Sequence, residues 1–256
     1  MVLDMNNATQ KWSLYGDQTP RFVAAGHSHV LCMLQALGNE PMSECAVAYN
    51  ADVMTGPPLE DDYWDYVCSL PEEVTIAVVW NGNQHHASFL VSSSPQIAIW
   101  TDEFAAAADD VVLVPRAMFR ELWEPTLQPL ISALERVVAR HSVIVLGTPP
   151  PKPDELCRAN IGIERWFQPL ADELAINLDS LPITPQRTRL ALWQLLQDRL
   201  LEIANQYDVP FLGIPNETVD GSGMLLPQYS ASDATHANDL YGLAVWHRVK
   251  NYADRA

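Results

Sequence analysis

The residues best suited to chemistry fall in three widely separated groups. They are Ser28 flanked by His27 and His29, Asn83 followed by His85 and His86, and Asp233 with His236. Ser28 follows the apolar run Phe22-Val23-Ala24-Ala25 through Gly26. It precedes Val30-Leu31-Cys32-Met33-Leu34-Gln35-Ala36-Leu37, whose spacing reads as a helix ending at Gly38. A strand that passes into a helix through Gly-x-Ser leaves the hydroxyl at the strand's carboxyl end, with the serine N–H at the positive end of the helix dipole. That placement favours the negative charge that develops in acyl transfer. The plainer alternative is that Ser28 is only a helix N-cap. Asp233 and His236 are close enough in sequence for the carboxylate to hold the imidazole in one tautomer, leaving its other nitrogen free as a base toward Ser28. An imidazole with an ordinary pKa of about 6.5 accepts a proton near neutral pH. Against this, Asp233 could simply cap the last helix, with His236 in its first turn. Asn83 offers a side-chain amide to an oxyanion, or is a turn asparagine.

These groups need elements to position them. Glu44–Tyr49, Val74–Trp80, Ser142–Gly147 and Val209–Ile214 read as further strands. The uninterrupted apolar run of the second of these suits a strand covered on both faces. Apolar spacing from Met118 to Val138 is helical, broken or restarted at Pro125 and Pro129. Pro185–Tyr207 reads as a long amphipathic helix. Leu190, Trp193, Leu196, Leu200, Ile203 and Tyr207 lie on one face, with Arg187, Arg189, Gln194, Gln197 and Asp198 on the other. A closing helix runs from about Leu240 to Tyr252. Strands alternating with helices argue a three-layer α/β/α fold with a parallel sheet. Functional groups then gather at the carboxyl ends of the strands, and each of the three polar groups follows a different strand.

The chain has 256 residues, enough for one sizeable domain that buries roughly 70–75% of its extended-chain surface. A net charge of −17 argues against a polyphosphate backbone or an anionic membrane as partner. The four cysteines are far apart, with no C-x-x-C pair, so neither a zinc knuckle nor a redox pair is indicated. The start has no basic region leading into an apolar one, and no stretch reaches 18 uninterrupted apolar residues. A cytoplasmic protein is the expectation.

Gly26-x-Ser28, Asn83 after a third strand and Asp233-x-x-His236 near the end, in that order, resemble the SGNH (GDSL-like) hydrolase superfamily. The block Asp233-Ala-Thr-His-Ala-Asn-Asp-Leu-Tyr-Gly242 is the strongest match, and the stretch around Asn83 is approximate. Together the blocks span residues 21 to 246. The resemblance implies a flavodoxin-like, five-stranded parallel sheet of order 2-1-3-4-5 in a single domain over 1–256. Segments 87–115 and 152–182 would be insertions that shape the pocket. It implies Ser28, His236 and Asp233 as catalytic residues. The implied oxyanion hole is the Ser28 backbone N–H, the Asn83 side chain and a glycine after the second strand, for which Gly56 is the candidate and Gly38 a competitor. Two departures stand out: His27 replaces the family's usual aspartate, and the third block reads Asn81-Gly82-Asn83-Gln84. His27 changes the charge beside the nucleophile from negative to neutral or positive.

The expected activity is cleavage of a small-molecule carboxylic ester without a cofactor, by an esterase or O-deacetylase. His27, His29, His85 and His86 would line the pocket. An acyltransferase would use the same residues. A metal enzyme is a competitor, since imidazoles with Asp233 would suit zinc or iron. The histidines are mostly adjacent or i, i+2, however, and no H-E-x-x-H spacing occurs. A non-catalytic member of the fold is another competitor. Trp64, Trp80, Trp100 and Trp123 would then stack on a sugar, or else pack ordinarily in core and rim.

Overall fold

The computed structural model describes residues 12–49, 61–80, 88–92, 96–99 and 111–255. Strand β1 (Ser13–Gly16) lies at the sheet edge, followed by β2 (Phe22–Gly26), helix α1 (Val30–Asn39) and β3 (Cys45–Tyr49). Helix α2 (Asp61–Cys68) then leads to β4 (Thr75–Val79). Short strands β5 (Gln96–Ile99) and β6 (Val111–Val114) pair in parallel as a separate two-stranded sheet. Helix α3 (Arg116–Val138), strand β7 (Val143–Leu146), helices α4 (Asp154–Asn160), α5 (Gln168–Glu173) and α6 (Gln186–Gln206), strand β8 (Phe211–Leu212) and helix α7 (Asp239–Ala253) complete the order.

The main sheet runs β1-β3-β2-β4-β7-β8. From β3 to β8 every pairing is parallel, in the expected 2-1-3-4-5 order. The difference is β1, which adds an antiparallel sixth strand against β3, with Ser13 opposite Tyr49 and Gly16 opposite Ala46. Because strand side chains alternate between faces, each central strand feeds two cores. Val23, Ala25, Ile76, Val78, Val143 and Val145 face a core shared with α2, α3 and α6. Phe22, Ala24, Ala77, Val79, Ile144 and Leu146 face one shared with α1 and α7. Burial on both faces explains why these strands read as continuous apolar runs.

Three sequence expectations change. Helix α3 is continuous through Pro125 and Pro129. The two prolines are four apart and so share one side of the helix, while Phe119, Trp123, Leu127, Leu130, Leu134 and Val137 bury its other side against the core. Arg189, assigned to the polar face of α6, is fully buried. Its Nε donates to Thr184 O (2.8 Å), its Nη1 to Lys152 O (2.7 Å), and its Nη2 pairs with Asp154. Trp64, Trp80 and Trp123 are core residues, so they form no sugar-stacking surface. Trp100 lies outside the described residues.

The segment after β7 has a small core of its own: Cys157, Ile161, Phe167, Ala171, Leu178, Leu181 and Ile183, closed by Leu90 and Ala234. Ala234 belongs to the loop that carries Asp233 and His236, so this segment backs that loop directly. Among the described residues, no helix is long and apolar enough to cross a membrane.

Candidate active site

The corner carrying Ser28 is built around Gly26. Its φ is +147°, and a Cβ there would lie 1.8 Å from the Val79 carbonyl oxygen. Only glycine lets β2 approach β4 so closely with that backbone. The Gly26 N–H donates to Tyr63 Oη (2.8 Å), whose hydroxyl in turn donates to Ala48 O (3.1 Å), and the His27 N–H donates to Val79 O (3.1 Å). A neighbouring strand and α2 thus grip the two residues before the serine. The Val30 and Leu31 N–H groups donate to His27 O and Ser28 O, starting the turn into α1. The residue at the N-cap position of α1 is His29, so Ser28 is not the cap. Among the described residues, no acceptor meets the Ser28 N–H.

The second element is the loop before α7. Ser230 bridges Ala237 in antiparallel fashion, the Ala231 N–H donates to His236 O (3.0 Å), and the Asn238 N–H donates to Tyr229 O (2.9 Å). This closes a tight turn with Asp233 to His236 at its tip. Asn238, not Asp233, caps α7, accepting from the Tyr241 N–H (3.2 Å). The capping alternative for Asp233 is therefore overturned, because the helix starts six residues later at Asp239. The Oδ1 of Asp233 accepts from the N–H groups of Thr235 (2.9 Å) and His236 (2.7 Å). Its Oδ2 lies 2.8 Å from His236 Nδ1. Burial pushes the Asp233 carboxyl up. The hydrogen bonds and charge of His236, with the Lys152 ammonium, outweigh this and hold it well below the usual carboxylate range. An ionised Asp233 places the imidazole proton on Nδ1 and leaves Nε2 free to accept another.

Close packing of α1 on α7 brings the two elements together. A Cβ on Gly242 would lie 2.1 Å from Cys32 O and 2.7 Å from Met33 N, so the helix backbones nearly touch there. Trp246 Nε1 donates to Met33 O (3.1 Å) one turn further along. The amino ends of both helices consequently meet at the carboxyl edge of the sheet. His29, only 5% exposed, sets its ring centroid 5.5 Å from that of His236, with the ring planes tilted by 58°. Among the described residues, the hydrogen bond of the Ser28 hydroxyl is with His27 Nδ1 at 3.2 Å, and none joins it to His236. His27 and Ser28 are half-buried.

Asn83, Gly56, His85 and His86 lie outside the described residues. Gly38 sits in the last turn of α1, facing the Tyr15 hydroxyl, at the opposite end of the helix from Ser28. That position removes it as an oxyanion donor. Among the described residues, no group of three or more His, Cys, Asp or Glu is placed to hold a metal ion.

Two residues at the site escaped the sequence reading. Lys152 is wholly buried, and its Nζ donates to Ala231 O (2.8 Å), Asp233 O (2.7 Å) and Asp233 Oδ1 (3.3 Å). Buried Glu164 accepts from the Ala234 N–H (2.9 Å) and from Trp166 Nε1 (2.8 Å). Lys152 did carry a signal, as a lone lysine between prolines just beyond the carboxyl end of a strand. Glu164 carried none.

The architecture is the one that the resemblance in sequence implies. It has the 2-1-3-4-5 parallel order, the serine after the first parallel strand and the Asp-x-x-His pair before the last helix. Among solved structures, the chain is similar to a phospholipase A1 from Streptomyces albidoflavus (12% identity, 93% of this chain and 99% of that one, TM-score 0.48). It is also similar to a GDSL-like lipase from Bacteroides thetaiotaomicron (12%, 93% and 89%, 0.47). A carbohydrate acetylesterase from Sinorhizobium meliloti is a third such structure (11%, 92% and 99%, 0.46). No family model matches the chain, and no curated protein matches it.

Proposed function

We propose that the chain is a serine hydrolase of small-molecule carboxylic esters, with Ser28 as nucleophile, His236 as base and Asp233 as the group that orients His236. The observation that carries this reading is the 2.8 Å contact of Asp233 Oδ2 with His236 Nδ1, on a loop held beside the Ser28 corner. In the first step Ser28 Oγ bonds to the carbonyl carbon while His236 Nε2 takes the hydroxyl proton. The tetrahedral oxyanion is met by the Ser28 N–H, with the Asn83 amide and Gly56 N–H as the further donors expected from the family resemblance. Collapse breaks the ester C–O bond, and His236 returns the proton to the leaving alcohol. Water then attacks the acyl-serine by the same route. Catalytic hydrogen bonds are often loose without substrate and tighten in the complex, and Ser28 Oγ would move from His27 to His236 on binding. His29 lines the pocket beside His236.

The 3.2 Å contact of His27 Nδ1 with Ser28 Oγ favours one competing assignment, with His27 as the base. Labelling with a fluorophosphonate followed by peptide mass spectrometry tests the nucleophile, and the expected adduct is on Ser28. Turnover of short-chain aryl esters is expected to fall at least about 10³-fold in both Ser28→Ala and His236→Ala, with unchanged circular dichroism. A label on another residue, or turnover retained in Ser28→Ala, sinks the mechanism. A His236→Ala variant that keeps its activity while His27→Ala loses it moves the base to His27.

A further inference from the structure

The group the mechanism leaves unused is a fully buried cation beside the site. Lys152 has no exposed side-chain surface, although it lies only six residues after the end of β7. A buried lysine is costly unless its charge is paired and every ammonium proton finds an acceptor. Here the acceptors number three, Ala231 O, Asp233 O and Asp233 Oδ1, and an ammonium has three N–H groups. A neutral amine has only two and would aim its lone pair at one of these oxygens. The geometry therefore fits the protonated form. Burial pulls the lysine below its ordinary value, and the Asp233 carboxylate offsets part of that fall. The lysine is fixed from behind, because Arg189 Nη1 donates to its carbonyl.

From this we infer that Lys152 is a positioning residue: its ammonium locks the Asp233 carboxylate and the loop backbone, and sets how readily His236 takes a proton. The inference rests on the proposed roles of Asp233 and His236. Lys152, Thr235 and His236 together supply three donors to Oδ1, so Oδ2 is the oxygen left for the imidazole. Two of the ammonium protons go to the main-chain carbonyls of Ala231 and of Asp233 itself, which holds the turn as well as the side chain. The positive charge also offsets part of the carboxylate's field at His236 and so disfavours the imidazolium. Among the described residues, the other charged or titratable groups around this pair are His29 beside His236, Glu164 and Cys157 beside Lys152, and Arg189 with Asp154 behind it. Among the described residues, Glu164, Cys157, Arg189 and Asp154 make no bond to the Asp233 carboxylate.

The test is an NMR titration of the His236 ring in the full-length protein, in a Ser28→Ala background, with the resonance assigned through His236→Gln. Lys152→Met is expected to raise the midpoint by about one pH unit, and the acid limb of kcat/KM in the Ser28 protein should move the same way. Lys152→Arg, which keeps the charge, is expected to return most of the shift. If Lys152→Met fails to fold, Lys152→Gln gives the same comparison. An unmoved midpoint in the neutral variant overturns the inference, as does an arginine variant that behaves like the methionine one. The titration reads no turnover, so its failure leaves the Ser28 mechanism standing. Activity surviving in Ser28→Ala would sink that mechanism without touching the titration.

Discussion

Asp233 is the residue on which the proposed chemistry turns, because it meets His236 in two ways. Its Oδ2 orients the ring through Nδ1, while its Oδ1 holds the His236 and Thr235 backbone. Replacement by asparagine keeps the shape but removes the preference for the Nδ1–H tautomer. Asp233→Asn is expected to lower kcat by about 10²–10⁴-fold in ester hydrolysis assays. The same residue makes stability depend on pH. Its folded pKa is depressed below the ordinary value of 3.8, so the stability it contributes is present above that value and is lost as pH falls toward the folded one. Thermal unfolding should therefore show the wild-type protein above Asp233→Asn at pH 7, with the gap closing below about pH 4. A gap that stays constant down to pH 2 would mean the carboxylate is not what stabilises the loop.

At the scale of elements, the site depends on how closely two helices approach. Gly242 closes the first turn of α7, where glycine costs up to about 1 kcal/mol relative to alanine in an isolated helix. Helix propensity alone therefore predicts that Gly242→Ala stabilises. The packing predicts the reverse, since the new methyl would sit 2.1 Å from Cys32 O, against main chain that has no freedom to turn aside. Overpacking of this kind typically costs about 1–3 kcal/mol. Denaturant unfolding is expected to show that loss. Turnover should fall as well, because α7 would carry His236 away from the Ser28 corner. A more stable Gly242→Ala protein would show that the helices do not meet as closely as this. Gly26 has the corresponding role in the sheet, where close approach to Val79 and a positive φ both require glycine.

For the molecule as a whole, two apolar layers enclose a sheet whose carboxyl edge carries Ser28 and the Asp233–His236 loop, and the chain is strongly acidic in sum. A net charge of −17 repels anionic substrates over a range set by ionic strength. Raising salt from about 10 mM to about 500 mM shortens the Debye length from roughly 30 Å to a few ångströms. The kcat/KM for a carboxylated ester is therefore expected to rise with salt, while that for its neutral analogue stays nearly flat. Equal salt responses would show that the site feels little of the whole chain's field, and a fall with salt that the field there has the opposite sign.

Local patterns determined much of this protein before any contact was known. The β-branched runs at 75–79 and 143–146, the helical spacing of 186–206 and the Gly26-x-Ser28 turn each follow from side-chain period and backbone freedom within a few residues. The Asp233–His236 contact is legible for the same reason, being only three residues long. Tertiary structure alone decided the rest. It buried Arg189 on the supposed polar face, carried α3 through its prolines, and added β1 to the sheet edge. It also brought His29 to His236 across some 200 residues and drove Lys152 into the loop that holds Asp233. Such pairings are stabilised by desolvation and by hydrogen bonds between segments remote in the chain, and a reading of neighbours along the sequence carries no term for either.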